Sequence, residues 1–486
     1  MSVTLEQRVK IFKEDRVPFT KPLPIEDGQP EKKDLIVVRL GSHAMLRENI
    51  EQSAKIMHGG ANRKIAVVSA FGKKIKDPER DQDKSVPQLL LEAYKQKSVG
   101  KGFQKEFDAV VARTQEYGEG LGTDDLLENL RSDLENKDTS YAQVLSHGER
   151  IAMQVFSQIS EGRRADPENL LTINRDLDGS YTYTYWGGLA QQEKGFDVLA
   201  GGYGSNGRGG IERFPIPGSI RTASIASAAE EAKEMWIVKK VPFLSADPEI
   251  VTNYQVISEV TDSELRSRDV TGDRSVVSRE SIAVALNENV EVSVRGLNDV
   301  KGGTKIVRER DSSEHMLSGI EGRKGLTAIT VQAAKEHVSE FGGLHEQAGV
   351  AHEVLGAFAK NQISIHLINS LVDGVAVLFD KNQLREGGDI EGELSDLDIR
   401  NVVDEKIEVT VTREDDLGVV SLVGAGVGLY QAEVMEKAGS ALHGKKIKRS
   451  TTEGNAMYVL SEEEVNDAMI ALHDKFFPNT ASEKSK

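Results

Sequence analysis

The sequence predicts an α/β protein, a large domain on a mainly parallel sheet followed by two small ferredoxin-like repeats. Three observations carry this. The continuous apolar run Leu35–Val38 and a second buried-strand stretch, Ile65–Ala70, flank a helical stretch, the spacing of a parallel crossover unit whose strands are buried on both faces. A third apolar run, Val198–Ala200, leads into a stretch to Glu212 in which six of fifteen residues are glycine. The carboxyl third repeats the order strand, helix, strand, strand twice.

Taken in order, residues 1–33 are polar, carry Pro18, Pro22, Pro24 and Pro30, and predict a loosely docked amino-terminal arm. The domain at 34–310 follows. After the first strand, Leu46–Met57 predicts a helix that stops at Gly59-Gly60, before the second strand. Residues 73–84 are almost entirely charged and predict a solvated loop. Helices are predicted for Pro87–Lys97, for parts of Phe103–Leu134 and, opened by Ser146-His147-Gly148-Glu149-Arg150, for Ile151–Ile159. Leu170–Ile173 and Trp236–Val238 predict further strands, and Ser219 can cap a helix running to about Ala232. In the first repeat, at 323–400, Leu326–Val331 is a strand, and Val350, Val354, Leu355 and Phe358 share a helical face. Ile363, Ile365 and Leu367 alternate before Val375–Phe379. The second repeat, at 401–486, predicts strands at Val419–Val423, Lys446–Ser450 and Met457–Leu460, and a last helix opened by a Ser461/Glu464 capping box. Strands are open to exchange between the two repeats.

Composition narrows the function. The 486 residues are 38% hydrophobic and 29% charged, with a net charge of −17, which argues against a nucleic-acid or anionic-membrane binder. Cysteine is absent, so thiolate chemistry, disulfides and Cys-bound zinc are excluded, and the ten histidines show no close metal-ligand spacing. No apolar run approaches a membrane span and the start lacks a signal core, so a cytoplasmic protein is expected. The glycine-rich stretch reads as a backbone cradle for an anion, with Arg208 able to grip a phosphate or carboxylate in two-pronged fashion. Gly202–Gly207 also spells Gly-x-Gly-x-x-Gly, but Arg208-Gly209-Gly210, Pro215 and Pro217 follow where a dinucleotide site requires a helix to begin.

An α/β domain of this kind with two such repeats resembles aspartokinase, an amino-acid kinase domain followed by tandem ACT domains. The resemblance covers about 34–477 and is carried by Ser245-Ala246-Asp247-Pro248, by Val276–Leu286 with Val290–Arg295, and by the two carboxyl repeats. Lys239-Lys240 before the Ser245 loop is closer to the ectoine-pathway branch. The resemblance implies an amino-acid kinase-like three-layer sandwich. It implies ATP and Mg²⁺, with L-aspartate phosphorylated on its β-carboxylate in aspartate-family amino-acid or ectoine biosynthesis. It also implies a homodimer or higher oligomer, with an amino-acid effector at the ACT interface near His366, Asn369 and Ser370.

The family's Lys-Phe-Gly-Gly-Thr-Ser corresponds to Arg39-Leu40-Gly41-Ser42-His43-Ala44, and Glu249 stands where its Asp-Pro-Arg has arginine. By resemblance Arg39 serves catalysis, Ser42 and Glu149 bind substrate, and Gly41, Gly209, Gly210, Lys239, Ser245 and Asp247 meet the nucleotide. Glu149, in the family's Ser-x-Gly-Glu, would hold a substrate amino group; a carboxylate opening a helix also simply stabilises the helix dipole. The family's Gly-Arg-Gly-Gly-Ser-Asp admits two registers. One lies on Gly207–Glu212 and gives Arg208 a catalytic and carboxylate-binding role. The other places Gly218-Ser219-Ile220 on Gly-Ser-Asp and puts Ile216 where the arginine belongs. Three readings stay open: an active aspartokinase-like enzyme, a catalytically degenerate regulatory or scaffold subunit, and a kinase for another small acid.

Overall fold

The computed structural model describes residues 9–13, 33–60, 62–72, 84–118, 120–175, 181–187, 189, 195–215, 218–271, 277–313, 315–334, 350–371, 374–384, 389–399, 406–443, 448–452 and 454–478. The charged stretch at 73–83 and Ile216 lie outside the described residues. The chain divides into two compact units, Met1–Phe243 with Val277–Val307, and Leu244–Val276 with Arg308–Lys486.

The strands of the first unit's main sheet run in the spatial order Asp299–Val307, Glu291–Gly296, Ala232–Lys239, Lys33–Leu40, Arg63–Val68, Phe196–Ala200 and Arg163–Ala165. All neighbours are parallel except the first pair. Ile36, Val38, Leu40, Ala66, Val68, Val198 and Ala200 are buried against a layer that includes the helices Ile50–His58 and Tyr141–Ser160. The helix Gly218–Ala229, buried from Ser219 onward, contacts the Lys33–Leu40, Arg63–Val68 and Ala232–Lys239 strands. The continuous apolar runs thus form a sheet covered on both faces.

A second sheet in this unit runs Val9–Lys13, Tyr181–Trp186, Leu171–Arg175, Tyr203–Ser205, Ile211–Arg213. The amino-terminal stretch therefore contributes a strand, antiparallel to Tyr181–Trp186. That partner alternates: Tyr181, Tyr183 and Tyr185 are buried while Thr182 and Thr184 are half-buried, the period-two pattern of a strand with one core face. The glycine-rich stretch is a hairpin. Tyr203–Ser205 pairs antiparallel with Ile211–Arg213, and the Asn206 side chain accepts the Arg208 and Gly210 backbone N–H groups, both at 2.9 Å, across the turn.

The helix containing Ser146–Glu149 begins earlier than its sequence suggested. It runs Tyr141–Ser160, with the Ser140 hydroxyl accepting the Gln143 N–H at 3.1 Å. Glu149 lies in its interior, away from the end where the dipole would favour it, so the dipole account of this carboxylate does not apply.

The second unit carries one sheet in the order Ile365–Leu371, Gly374–Asp380, Gly319–Ala333, Val409–Val423, Asn455–Ser461, Lys448–Thr452. Its two 15-residue central strands pair antiparallel with one another, so a single continuous sheet serves both ferredoxin-like ACT repeats. Two clusters lie under helices: Val420, Leu422, Tyr458 and Leu460 pack with Val465–Phe476, and Ile329, Val331, Val377 and Phe379 pack with Val350–Lys360. The opposite parity, Ala328, Leu378, Val419, Met457 and Val459, forms another buried cluster. Among the described residues no helix is long and apolar enough to cross a membrane.

Candidate active site

A cavity of about 480 Å³ in the first unit is lined by residues at and beyond the carboxyl ends of Lys33–Leu40, Arg63–Val68 and Phe196–Ala200, the end of a parallel sheet where ligands bind. Arg39 comes from the first of these strands, Ser69 follows the second and Gly202 the third. Glu149 reaches in from Tyr141–Ser160, Arg213 from the hairpin, and Ser219 from the first turn of Gly218–Ala229.

Arg39 is held in place by hydroxyls. Its Nε and Nη2 donate to Ser219 Oγ at 3.2 and 3.0 Å, Nη2 also donates to Ser69 Oγ at 3.0 Å, and the two hydroxyls lie 2.8 Å apart. Burial without a carboxylate partner pulls the guanidinium down to about 10, which leaves it charged at neutral pH. Gly41 makes room for it, since a Cβ there would come within 2.6 Å of Arg39 Nη1. Arg39 is therefore a fixed, desolvated fork rather than a mobile point charge.

Glu149 and Arg213 form a two-pronged ion pair. Nη1 donates to Oε2 and Nη2 to Oε1, each at 2.9 Å, and the side chains are 16% (Arg213) and 9% (Glu149) exposed. Burial alone would lower the arginine, but the Glu149 carboxylate outweighs it and holds Arg213 above its ordinary value. The pair stands beside Gly202, whose φ of +93° suits glycine; a Cβ at Gly218 would come within 2.9 Å of Gly202 Cα.

The structure brings Arg39, Ser42 and Glu149 to this cavity, and Gly41 lies beneath the Arg39 guanidinium. Arg208 and Gly209 are exposed in the hairpin turn with Gly210 beside them, and none of the three lines the cavity. The arginine that meets Glu149 is Arg213, which sequence reasoning passed over. The available signal was Asn206-Gly207, a turn pair that marks a hairpin; the register that sets Arg213 opposite Tyr203 comes from a five-residue loop, 206–210, that the pair does not specify. Lys239 ends its strand half-buried, outside the lining, with its carbonyl accepting the Leu297 N–H at 2.8 Å.

Ser245 and Asp247 belong to the second unit. The buried Ser245 hydroxyl lies 2.8 Å from His473 Nε2 and accepts the Gln255 N–H at 2.8 Å; Asp247 Oδ1 accepts the Glu249 N–H at 2.9 Å. Asp247 organises its own loop, while Ser245 ties that loop to His473 as well. His366, Asn369 and Ser370 lie on the edge strand Ile365–Leu371, with Asn369 and Ser370 exposed. Among the described residues no group of three or more His, Asp or Glu could hold a metal ion.

The profile of the amino acid kinase family matches residues 34–296, more than half of the chain. The lysine-sensitive aspartokinase 3 of Escherichia coli is 22% identical over 360 residues, 69% of this chain and 75% of that protein. The chloroplastic aspartokinase 3 of Arabidopsis thaliana is 22% identical over 302 residues, 60% of this chain and 51% of that protein, so the match spans about half of the plant relative. Among solved structures, the aspartate kinase of Clostridium acetobutylicum superposes with a TM-score of 0.74 at 21% identity, covering 91% of this chain and all of that one. The aspartokinase III of Escherichia coli in complex with lysine and aspartate gives 0.70 at 20% identity, covering 92% of this chain and all of that one. At these identities the structural likeness speaks for the fold.

Proposed function

We propose a phosphoryl-transfer reaction for this chain, which belongs to the amino acid kinase family: the terminal phosphoryl group of ATP passes to a carboxylate of a small aspartate-type acid. The acceptor named by the resemblance is the β-carboxylate of L-aspartate, in aspartate-family or ectoine biosynthesis. The observation that carries the proposal is the cavity at the carboxyl end of the parallel sheet, with Arg39 and Arg213 fixed in its lining.

Such a transfer needs positioning and charge neutralisation more than covalent help. The acceptor is already an anion, so no general base is required. The Arg39 fork, held by Ser69 and Ser219, is suited to charge building on the transferring oxygens. It resists reorganisation because Nε and Nη2 donate to two hydroxyls that fix the plane of the guanidinium. The start of the twelve-residue helix Gly218–Ala229 and the Ser42 backbone suit the phosphates of the donor. Mg²⁺, which would neutralise the terminal phosphates, fits a site where those phosphates and water supply most ligands; among the described residues the one lining carboxylate outside the Glu149–Arg213 pair is Glu212.

A non-catalytic regulatory subunit is the second reading, favoured by the serine hydroxyls that already engage Arg39 Nε and Nη2. Incubation of the full chain with ATP, Mg²⁺ and hydroxylamine, with either L-aspartate or another four-carbon dicarboxylic acid, separates the two. Acid-dependent hydroxamate supports the kinase. Failure of every such acid to give hydroxamate at high protein concentration refutes it.

A further inference from the structure

We propose that residues 9–13 are a detachable strap: an edge strand whose docking on Tyr181–Trp186 holds the Arg175–Tyr181 wall of the cavity, so that capture or removal of the amino-terminal segment loosens the site. The proposal goes beyond the phosphoryl-transfer reading and rests on it only for the cavity's being the ligand site.

The strap is held on one side. All five residues of Val9–Lys13 pair with the neighbouring strand, from Val9 opposite Trp186 to Lys13 opposite Thr182. The strand stands at the end of its sheet and is joined to Lys33–Leu40 through residues 14–32. A short strand near a chain end, with a ladder on one side only, belongs to the low end of local stability and opens without global unfolding. Undocking turns Tyr181–Trp186 into an edge with a row of unpaired N–H and C=O groups, since no other described strand lies on that side of it.

Tyr181–Trp186 leads directly to the site. Tyr181 lines the cavity, and so does Arg175, its register partner on the next strand. Tyr183 and Tyr185 are buried and clamp the strand to the segment that presents Ser219 to Arg39. Arg221 Nη1 donates to the Tyr183 hydroxyl at 2.9 Å, and the Tyr185 hydroxyl donates to Glu230 Oε1 at 3.3 Å. The hairpin is insulated from the strap. Among the described residues Leu171–Arg175 meets Tyr203–Ser205 through one ladder pair, Thr172 with Ser205, so the Glu149–Arg213 pair stays in place when the strap leaves.

The test is hydrogen exchange, read by mass spectrometry, on the full chain, on a chain lacking residues 1–32, and on the double variant Lys10→Pro, Ile11→Pro. Successive N–H groups of an antiparallel strand point to opposite sides, so one of the two prolines removes a ladder donor. Residues 171–175 do not touch the strap, yet their exchange is expected to quicken at least about tenfold in both altered chains, a loss of about 1.4 kcal/mol of local stability. Residues 63–68 and 211–213 are expected to keep their protection. Unchanged exchange at 171–175 overturns the proposal, as does equal loosening of 63–68, which marks a general loss of stability. If the truncated chain does not fold, the proline variant decides. Hydroxamate assays keep the two proposals apart. Where the full chain forms hydroxamate, loss of the strap is expected to raise the acid concentration for half-maximal rate at least about threefold. An unchanged requirement overturns the strap and leaves the kinase. A full chain that forms none refutes the kinase, and exchange alone then decides the strap.

Discussion

Removing the Arg213 guanidinium tests whether the Glu149 pair is a structural commitment or a loose contact. In Arg213→Met the aliphatic stem is roughly kept while the Glu149 carboxylate, 9% exposed in its side chain, loses both N–H partners. Breaking a buried pair by deleting one member costs about 3–5 kcal/mol, and with both groups retaining some exposure the lower end, about 3 kcal/mol, is expected. Glu149→Gln alone should cost somewhat less, because a neutral amide can still accept from Arg213. The double variant should be more stable than the sum of the two single losses implies, by about 1–2 kcal/mol, since neither charge then remains unpaired. The assay is urea unfolding followed by tryptophan fluorescence. Both tryptophans, Trp186 and Trp236, belong to the first unit, so this signal reports on that unit alone in a chain where one global transition is not assured. A loss below about 1 kcal/mol in Arg213→Met, or strict additivity in the double variant, refutes the reasoning.

Three further outcomes follow from the same contacts. Gly41→Ala puts a Cβ 2.6 Å from Arg39 Nη1 and 3.2 Å from the Val238 carbonyl; it should cost about 1–3 kcal/mol by overpacking and raise the KM for ATP, checked by unfolding and steady-state kinetics. Arg208→Ala, in an exposed turn, should leave stability within about 0.5 kcal/mol and hydroxamate kinetics unchanged; a raised KM for the acid would return this arginine to the site. In the second unit, burial raises Glu264 but Arg310 and the Thr261 and Ala425 N–H groups outweigh it, so its folded value lies below the ordinary one. Its stabilisation is therefore present above the unfolded carboxylate value of about 4.3 and is lost as the pH falls through the lower folded value. Circular dichroism should show Glu264→Gln already destabilised at neutral pH and less sensitive to acid than the unaltered chain, and equal acid sensitivity would contradict this.

The sheets were legible where one period dominated. Leu35–Val38 and Ile65–Val68 are apolar without interruption and lie in a sheet covered on both faces, and Val350, Val354 and Phe358 share one helical stripe that packs on the first repeat. The site was harder to read because its residues are set by register. A glycine-rich hairpin fits the arginine motif in more than one alignment, and only the pairing of Tyr203 with Arg213 shows which side chain returns to Gly202 and Glu149. The position of Glu149 was misjudged because the cap at Ser140 lies six residues upstream of the motif that opened the predicted helix. Lys239 carried a family role in its spelling, yet its side chain lies outside the cavity lining. The Ser245 hydroxyl pairs with His473, 228 residues away, a partner that no local pattern announces.

We propose that this cavity moves a phosphoryl group from ATP to a carboxylate. Phosphorus NMR of the full chain with ATP, Mg²⁺ and a four-carbon dicarboxylic acid tests it most directly. An acyl-phosphate resonance that grows with ADP, requires the acid, and is lost in Arg39→Ala is expected. ADP formation independent of any acid, or an acyl phosphate undiminished in Arg39→Ala, would contradict it.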